Sequence, residues 1–302
     1  MIDPQVYMRD FVDFVQKEKG YSRHTILSYT HDLRRFQLFM ETYTGNPNWS
    51  YQSIDKQTIR HFLGKEFEEG LSSKTVARRL ATLKSLFKYL LYNQIIESNP
   101  AAEVRTPKTP RNLPAFISEK LINELMTSPD SGKTIGIRDR ALLELFYSTG
   151  MRLNELVQLN MGDFQLDQYL VRVLGKGQKE RLIPFGKRAK ISLENYWKNR
   201  GMHPRVAKRS EPCFVNARGN RISVRTVQRR VKKYIQSVAE GASLGPHILR
   251  HSFATHMLER GADIRALKDL LGHSSLSSTQ IYTHIQPEKM KEIYKQAHPH
   301  GD

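Results

Sequence analysis

The chain has little that would tie it to an oxidising compartment or to a lipid bilayer. Its 302 residues include a single cysteine, Cys213, which excludes an internal disulfide framework and fits a reducing compartment. No stretch approaches the ~18 apolar residues of a membrane span, and the amino terminus lacks a basic segment followed by an apolar run. We therefore expect a cytoplasmic protein with no membrane partner.

Motifs for nucleotide and metal chemistry are also missing. The sequence contains no Walker loop for nucleotide phosphates and no carboxylate cluster that would hold two metal ions. His247, His251 and His256 lie close together in sequence, but they lack the glutamate of a zinc-protease helix and Cys213 is remote. We therefore expect neither a cofactor nor a metal.

Acidic residues are too few to balance the basic ones. Lysine and arginine number 48 against 30 aspartates and glutamates, which gives a net charge of +18 and a pI near 9.9. Residues 1–110 hold 16 basic and 12 acidic side chains, so residues 111–302 hold the other 32 and 18. This excess favours a polyanionic partner such as nucleic acid, although a solvated surface is the alternative.

A proline-rich stretch divides the chain. Residues 105–114, RTPKTPRNLP, contain three prolines and three basic residues, which is typical of an extended linker. The chain is long enough for two domains that each bury a core. We therefore expect one domain at residues 1–104 and a second at residues 115–302.

Helical periodicity dominates the first domain, where apolar residues recur at intervals of three and four from Ile26 to Met40. Residues 72–91 show the pattern most clearly. One face of that helix is apolar, and the opposite face carries Lys74, Arg78, Lys84 and Lys88. A basic face of four turns suits contact with a DNA backbone, although a solvated face is the alternative.

The second domain continues as helices but includes one change of period. Helical patterns cover residues 118–126, 136–159, 224–240 and 249–261, with a break at Gly150. Residues 169–186, YLVRVLGKGQKERLIPFG, predict a β-hairpin around a Gly-Lys-Gly turn. The fold class is therefore mainly α with a small antiparallel β-sheet.

Several residues suited to phosphate chemistry stand apart in the sequence. His247 and Arg250 are three residues apart, so on a helix they share one face near its amino-terminal end, where backbone amides favour an anion. A helix cap and a surface salt bridge are the alternative. Lys176 lies in the predicted hairpin turn, where a lysine could protonate a leaving oxygen or simply be exposed.

Tyr282 is a candidate nucleophile, although packing is the commoner role of an aromatic residue at helical spacing. A phenol with its usual pKa near ~10 is about a thousandth ionised at neutral pH, so it needs cations close to its oxygen. Two arginines, a lysine and two histidines around one phosphate would supply them and would stabilise the transition state. The residues in question are Arg152, Lys176, His247, Arg250 and His273.

Four segments together resemble the signature boxes of the tyrosine site-specific recombinases, in particular their Xer branch. They are TGMRLNEL, GKGQKERLIPFG, HILRHSFATHMLERGAD and LLGHSSLSSTQIYTH, in the family's order. The resemblance implies a helical SAM-like core-binding domain followed by an α+β catalytic domain. Asn154 stands where the family more often has serine, which leaves the resemblance intact.

The resemblance also implies a role for each candidate residue. Arg152 and Arg250 would clamp the scissile phosphate, and Tyr282 would attack it to form a 3′-phosphotyrosyl intermediate. Lys176 would protonate the departing 5′ oxygen, while His247 would assist proton transfer. His273 would hydrogen-bond a phosphate oxygen. Glu155 would brace the site, unless it forms only an ion pair on a helix surface.

Partners follow from the same resemblance. The expected assembly is a homo- or hetero-tetramer on two double-stranded DNA sites that passes through a Holliday junction, with a possible DNA translocase of the FtsK type. The tail, residues 288–302, would dock in trans into a neighbouring protomer, with packing on its own domain as the alternative.

The expected function is site-specific recombination that resolves chromosome dimers at a dif-like site. The alternatives are a phage or mobile-element integrase, a type IB topoisomerase, and a DNA-binding regulator that has lost catalysis. All six candidate positions hold residues competent for the chemistry, which disfavours the regulator.

Overall fold

A computed structural model gives the fold of the protein and describes residues 3–108, 116–175, 180–203, 206–239, 245–272 and 287–301. The chain forms two compact units, Met1–Arg111 and Asn112–Asp302. The first is helical, and the second adds a small antiparallel sheet to its helices. The predicted fold class is therefore confirmed.

The first unit contains four α-helices in the part of the chain that the structure describes. All four begin at a side-chain cap: Asp3 accepts a hydrogen bond from the backbone N–H two residues on, and Ser22, Asp55 and Ser72 each accept one from the N–H three residues on. The helices are α1 (Pro4–Lys17), α2 (Arg23–Thr44), α3 (Lys56–Glu68) and α4 (Ser73–Tyr92).

The core of the first unit is formed where α2, α3 and α4 meet. Phe36 of α2 is fully buried, and its ring centroid lies 5.2 Å from that of Phe62 and 6.3 Å from that of Phe87. Edge-to-face contacts of this kind add to the stabilisation from apolar burial. The predicted apolar face of α4 is buried throughout: Val76, Leu80, Leu83, Phe87 and Leu90.

A buried ionic network also joins these helices. Asp32 of α2 and Glu66 of α3 are almost inaccessible to solvent, and Arg79 of α4 forms ion pairs with both. Arg78, expected on the basic face of α4, forms an ion pair with the same Asp32. The charge of the basic face is thus partly neutralised at Arg78. Lys74 and Lys88 extend into solvent, and Lys84 is half-buried.

The described part of the second unit contains eight α-helices and three strands. The central helix is α6, which packs against α5, α8, α10 and β3, while α9 packs against α5 and α7. The elements are α5 (Glu119–Thr127), α6 (Thr134–Thr149), α7 (Leu153–Gln158), β1 (Phe164–Gln165), β2 (Leu170–Leu174), β3 (Glu180–Pro184), α8 (Lys187–Asn199), α9 (Val224–Val238), α10 (His247–Glu259), α11 (Ile264–Leu271) and α12 (Pro287–Ala297).

The predicted hairpin is present as β2 and β3, with Leu170 opposite Pro184 and Leu174 opposite Glu180. Its turn, including Lys176, lies outside the described residues. A third strand, β1, was not predicted, because two residues are too few for a period of two to show in the sequence. It pairs antiparallel with β2.

Helix α6 is buried on nearly every side, from Ala141 to its end at Thr149. Gly150 follows in the left-handed conformation with φ of +56°, so the predicted break at this glycine is confirmed. Neither α6 nor any other helix in the described ranges is long and apolar enough to cross a membrane.

The carboxyl-terminal helix α12 packs on its own unit, against α10 and β3. Its Tyr294 is buried, and the phenol oxygen lies 2.5 Å from the hydroxyl of Ser148 on α6. His298 and His300 are buried beyond the helix, and burial lowers the pKa of His298 well below its usual value. In this structure the tail thus packs on its own unit, which is the alternative to docking in trans into a neighbouring protomer.

Gly186 gives a direct test of this tail packing, because a Cβ at this position would lie 1.9 Å from the carbonyl oxygen of His300. We expect Gly186→Ala to displace the tail, to lower the free energy of unfolding by about 1–3 kcal/mol, and to speed trypsin cleavage at exposed Lys295. Thermal unfolding and timed proteolysis measure both effects.

The matched control is Gly245→Ala, since a Cβ at Gly245 would meet no atom of the described residues within 4 Å. It should leave both measurements near the wild-type values. Equal proteolysis of wild type and Gly186→Ala would show that the tail does not depend on this contact.

Candidate active site

The turn between α6 and α7 places the first candidate residue. A Cβ at Gly150 would lie 2.3 Å from the Phe253 ring, so both the turn and the contact with α10 require glycine here. Two residues later Arg152 adopts an extended conformation and becomes the N-cap of α7. The helix break therefore sets the position of Arg152 beside α10.

Arg152 is held by groups on both sides. Its backbone N–H donates to Glu155 Oε2 over 2.7 Å, and its Nη1 donates to Glu155 Oε1 over 3.1 Å. Its Nη2 donates to the carbonyl of Gly272 over 3.0 Å. The side chain is still 41% exposed, so the guanidinium can meet an anion from solvent.

Arg250 comes from the first turn of α10 and lies near Arg152. Its Nη1 donates to the carbonyl of Gly150 over 2.5 Å, and its Nη2 donates to the carbonyl of Leu271 over 2.7 Å. Burial, followed by the charge of nearby Arg152, lowers the pKa of Arg250 to about 10. Arg250 therefore remains a cation at neutral pH, in a site that disfavours positive charge and so favours an anion.

Glu155 is the acid that bonds Arg152, and its side chain is only 6% exposed. Burial by itself raises the pKa of Glu155, but hydrogen bonds from Arg181 and Arg152 outweigh burial and hold the pKa below its usual value. Glu155 is thus a buried carboxylate that bonds two arginines, and an ion pair confined to the helix surface is excluded.

Arg181 was not predicted as a member of the site. It lies on β3 and donates from Nη1 to Glu155 Oε1 over 3.1 Å and from Nη2 to Glu155 Oε2 over 2.8 Å. The register of the hairpin could have predicted its position. Arg181 is paired with buried Val173, and cross-strand partners face the same side of a sheet. An arginine on the buried face needs an anionic partner.

The histidines of α10 have different surroundings. His247 is the first residue of the helix and is exposed, one turn before Arg250. His256 is buried, and its Nδ1 lies 2.8 Å from the phenol oxygen of Tyr147. Within the described ranges, no three histidine, cysteine or acidic side chains are arranged to hold a metal.

The structure therefore brings Arg152, Glu155 and Arg250 together and places His247 on the same helix as Arg250. Lys176, His273 and Tyr282 lie outside the described residues. His273 directly follows Gly272, whose carbonyl accepts the hydrogen bond from Arg152. The cationic site thus lies next in sequence to the segment that carries His273 and Tyr282.

Comparison with protein families gives matches over both units. The family described as "Phage integrase family" matches residues 115–289, and the family described as "Phage integrase, N-terminal SAM-like domain" matches residues 8–94. Tyrosine recombinase XerC of Thermodesulfovibrio yellowstonii is 40% identical, covering 99% of this chain and 98% of the relative. Tyrosine recombinase XerC of Bacillus subtilis is 38% identical, covering 97% and 96%.

Solved structures have the same fold. A lambda integrase dimer bound to a COC′ core site matches with a TM-score of 0.69 and 18% identity, covering 93% of this chain and 99% of that one. XerH recombinase bound to its difH substrate matches with a TM-score of 0.66 and 23% identity, covering 96% and 82%.

The chain therefore belongs to the phage integrase family and is a tyrosine recombinase, an enzyme that recombines DNA at specific sites. Similarity to XerC proteins over nearly the whole of both chains assigns it to the Xer branch. The family resemblance seen in the sequence motifs is confirmed.

Proposed function

We propose that Tyr282 attacks a DNA phosphate that Arg152 and Arg250 bind, within the site described above. The observation that carries the proposal is the convergence of these two guanidinium groups, from α7 and α10, on the end of α11 just before His273. Two cations beside one phosphodiester offset the additional negative charge of the five-coordinate transition state.

The reaction is a transesterification in two steps. The bond from the Tyr282 oxygen to phosphorus forms while the bond to the 5′ oxygen breaks, which leaves a 3′-phosphotyrosyl adduct and a 5′ hydroxyl. His247 accepts the tyrosine proton, and Lys176 donates a proton to the leaving oxygen. His273 donates a hydrogen bond to a phosphate oxygen. Rejoining reverses these steps, so the phosphodiester energy is retained.

Arg152 and Arg250 are partly satisfied by backbone carbonyls. Each guanidinium has five N–H donors, and each of the two gives hydrogen bonds to carbonyls or to Glu155. A scissile phosphate carries a full negative charge, so it competes well with carbonyl dipoles for these donors. The DNA backbone would thus bind to cations that are already oriented.

The first unit would serve as the core-binding domain at residues 1–104, joined by the linker 105–114 to the catalytic domain at 115–302. On its α4, Lys74 and Lys88 extend into solvent, and Arg78 and Lys84 add partly exposed charge. These side chains would contact DNA phosphates without reading sequence.

A second basic face supports DNA contact by the catalytic unit. Helix α9 buries Val227, Val231 and Ile235 on one side. Four exposed basic side chains lie on the other side, and they were not predicted as DNA contacts: Arg225, Arg229, Lys232 and Lys233. Charge on both units suits a protein that binds along a duplex.

Recombination would require an assembly of four protomers on two DNA sites. Relatives of this fold have been solved as a lambda integrase tetramer bound to a Holliday junction and as XerH bound to difH. In such a tetramer the tail would leave its own unit and make the same contacts with a neighbour. Similarity to XerC relatives over nearly the whole of both chains favours chromosome dimer resolution, with or without a translocase of the FtsK type.

The nucleophile is tested with a suicide DNA substrate that carries a nick beside the cleavage position. We expect the wild-type protein to accumulate a covalent adduct resistant to SDS, and Tyr282→Phe to form none because it lacks the attacking oxygen. Tyr92→Phe is the control, since Tyr92 is 83% exposed in the first unit and should leave the yield unchanged. An adduct with Tyr282→Phe would remove Tyr282 as nucleophile.

The leaving-group acid is tested by changing the leaving atom. Lys176→Ala should slow cleavage of an ordinary 5′ oxygen by about 100-fold or more, because general acids typically contribute that much. A 5′-phosphorothiolate needs no proton to leave, so it should restore most of the rate. Equal slowing on both substrates would assign the proton to another group.

The basic face of α4 is tested by the salt dependence of binding to duplex DNA. Lys74→Ala with Lys88→Ala should weaken binding to all sequences alike and reduce the slope of log Kd against log salt by about 1 for each lysine that binds a phosphate. Lys17→Ala with Lys19→Ala removes the same charge from the end of α1 and the residues just after it, and serves as the control; Lys17 pairs with Asp13. Identical slopes for the two double variants would exclude a specific role of α4.

A further inference from the structure

Three consecutive carbonyl groups at the end of α11 each accept a hydrogen bond from a different arginine. Leu270 accepts from Arg181 Nε over 3.2 Å, Leu271 from Arg250 Nη2 over 2.7 Å, and Gly272 from Arg152 Nη2 over 3.0 Å. These carbonyls end the helix and carry its negative partial charge, so cations stabilise them.

Arg181 differs from the other two arginines in its accessibility. Its side chain is 16% exposed, against 41% for Arg152. All three of its guanidinium nitrogens donate to protein oxygens, one to Leu270 and two to Glu155. Arg181 is therefore poorly placed to bind a DNA phosphate, and any effect on the reaction must pass through its partners.

Arg181 can act on the reaction through the charge of Glu155. Glu155 is a single carboxylate that bonds both Arg152 and Arg181, and the charges of Arg152 and Arg181 both disfavour the cationic form of Arg250. Arg181 contacts both carboxylate oxygens in the bidentate geometry that binds a carboxylate most strongly. Much of the negative charge of Glu155 is thus balanced by Arg181 and not by Arg152.

We propose that Arg181 is a positioning residue for DNA cleavage, which neutralises Glu155 so that Arg152 keeps its positive charge for the phosphate. It also fixes the end of α11, immediately before His273. The inference rests on the proposed function, in which Arg152 binds the scissile phosphate. Without Arg181, Glu155 and Arg152 form a closed neutral pair, and the site loses part of the charge that stabilises the transition state.

The experiment compares Arg181→Gln, Arg181→Lys, Glu155→Gln and the double variant Arg181→Gln/Glu155→Gln in the full chain. Single-turnover cleavage of the nicked suicide substrate at saturating protein gives the rate, and a duplex binding assay gives Kd. Arg260→Gln is the matched control, because Arg260 also bonds both oxygens of a glutamate, Glu119, but on the surface.

We expect Arg181→Gln to slow cleavage by about tenfold or more while Kd changes less, because many other contacts support binding. Arg181→Lys keeps the charge but cannot form the bidentate pair, so its rate should lie between those of the wild type and Arg181→Gln. The double variant should cleave about threefold or more faster than Arg181→Gln alone, because removing the carboxylate releases Arg152. Arg260→Gln should cleave at the wild-type rate.

A purely structural role predicts a different pattern. The double variant would then be no faster than Arg181→Gln, and the cleavage rate would fall in step with the folded fraction measured by thermal unfolding. Either result overturns the inference, as does a wild-type rate for Arg181→Gln. If the wild-type protein itself forms no adduct, the proposed function fails instead, so the two failures can be told apart.

Discussion

One buried carboxylate allows a group of like charges to share a small space. Glu155 bonds Arg152 and Arg181, and nearby Arg250 bonds the carbonyls of Gly150 and Leu271. Three guanidinium groups repel one another in a partly desolvated site, which is reflected in the lowered pKa of Arg250. A carboxylate and the carbonyl dipoles of a helix end offset this repulsion only in part. The remaining positive charge would suit the DNA phosphate that we propose for this site, because the donors are already oriented.

The scaffold of the second unit explains how residues far apart in sequence reach this site. Arg152, Arg181 and Arg250 come from α7, β3 and α10, and both β3 and α10 pack directly against the buried helix α6. Gly150 fits under the Phe253 ring and lets the chain turn from α6 into α7. Small changes in these contacts would shift the arginines together, because they share partners. Rigid packing of this kind suits an enzyme whose chemistry depends on position and charge.

The carboxyl-terminal tail would link the second unit to the assembly that we propose. Tyr294 reaches Ser148 on α6, and Ser148 also accepts the backbone N–H of Gly186, which follows β3 closely. The tail therefore packs on the same two elements that support the arginine site. Because identical contacts can form within one protomer or between two, exchange of the tail would cost little beyond its release. Such an arrangement would couple the neighbour's position to the site of cleavage in the tetramer that we propose.

The sequence by itself determined the family, the mainly helical class, the hairpin, the helix break at Gly150 and the apolar face of α4. These features depend on local periodicity, on glycine turns and on motifs that are contiguous in the chain. It also named Arg152, Glu155 and Arg250, which the structure brings together. Only the tertiary structure decided that Arg181 shares Glu155, that Arg78 turns to Asp32, and that the tail packs on its own unit. Each of these depends on which distant elements meet. A charged side chain pairs with the nearest opposite charge in space, and the spacing of residues along the chain does not specify which charge that is.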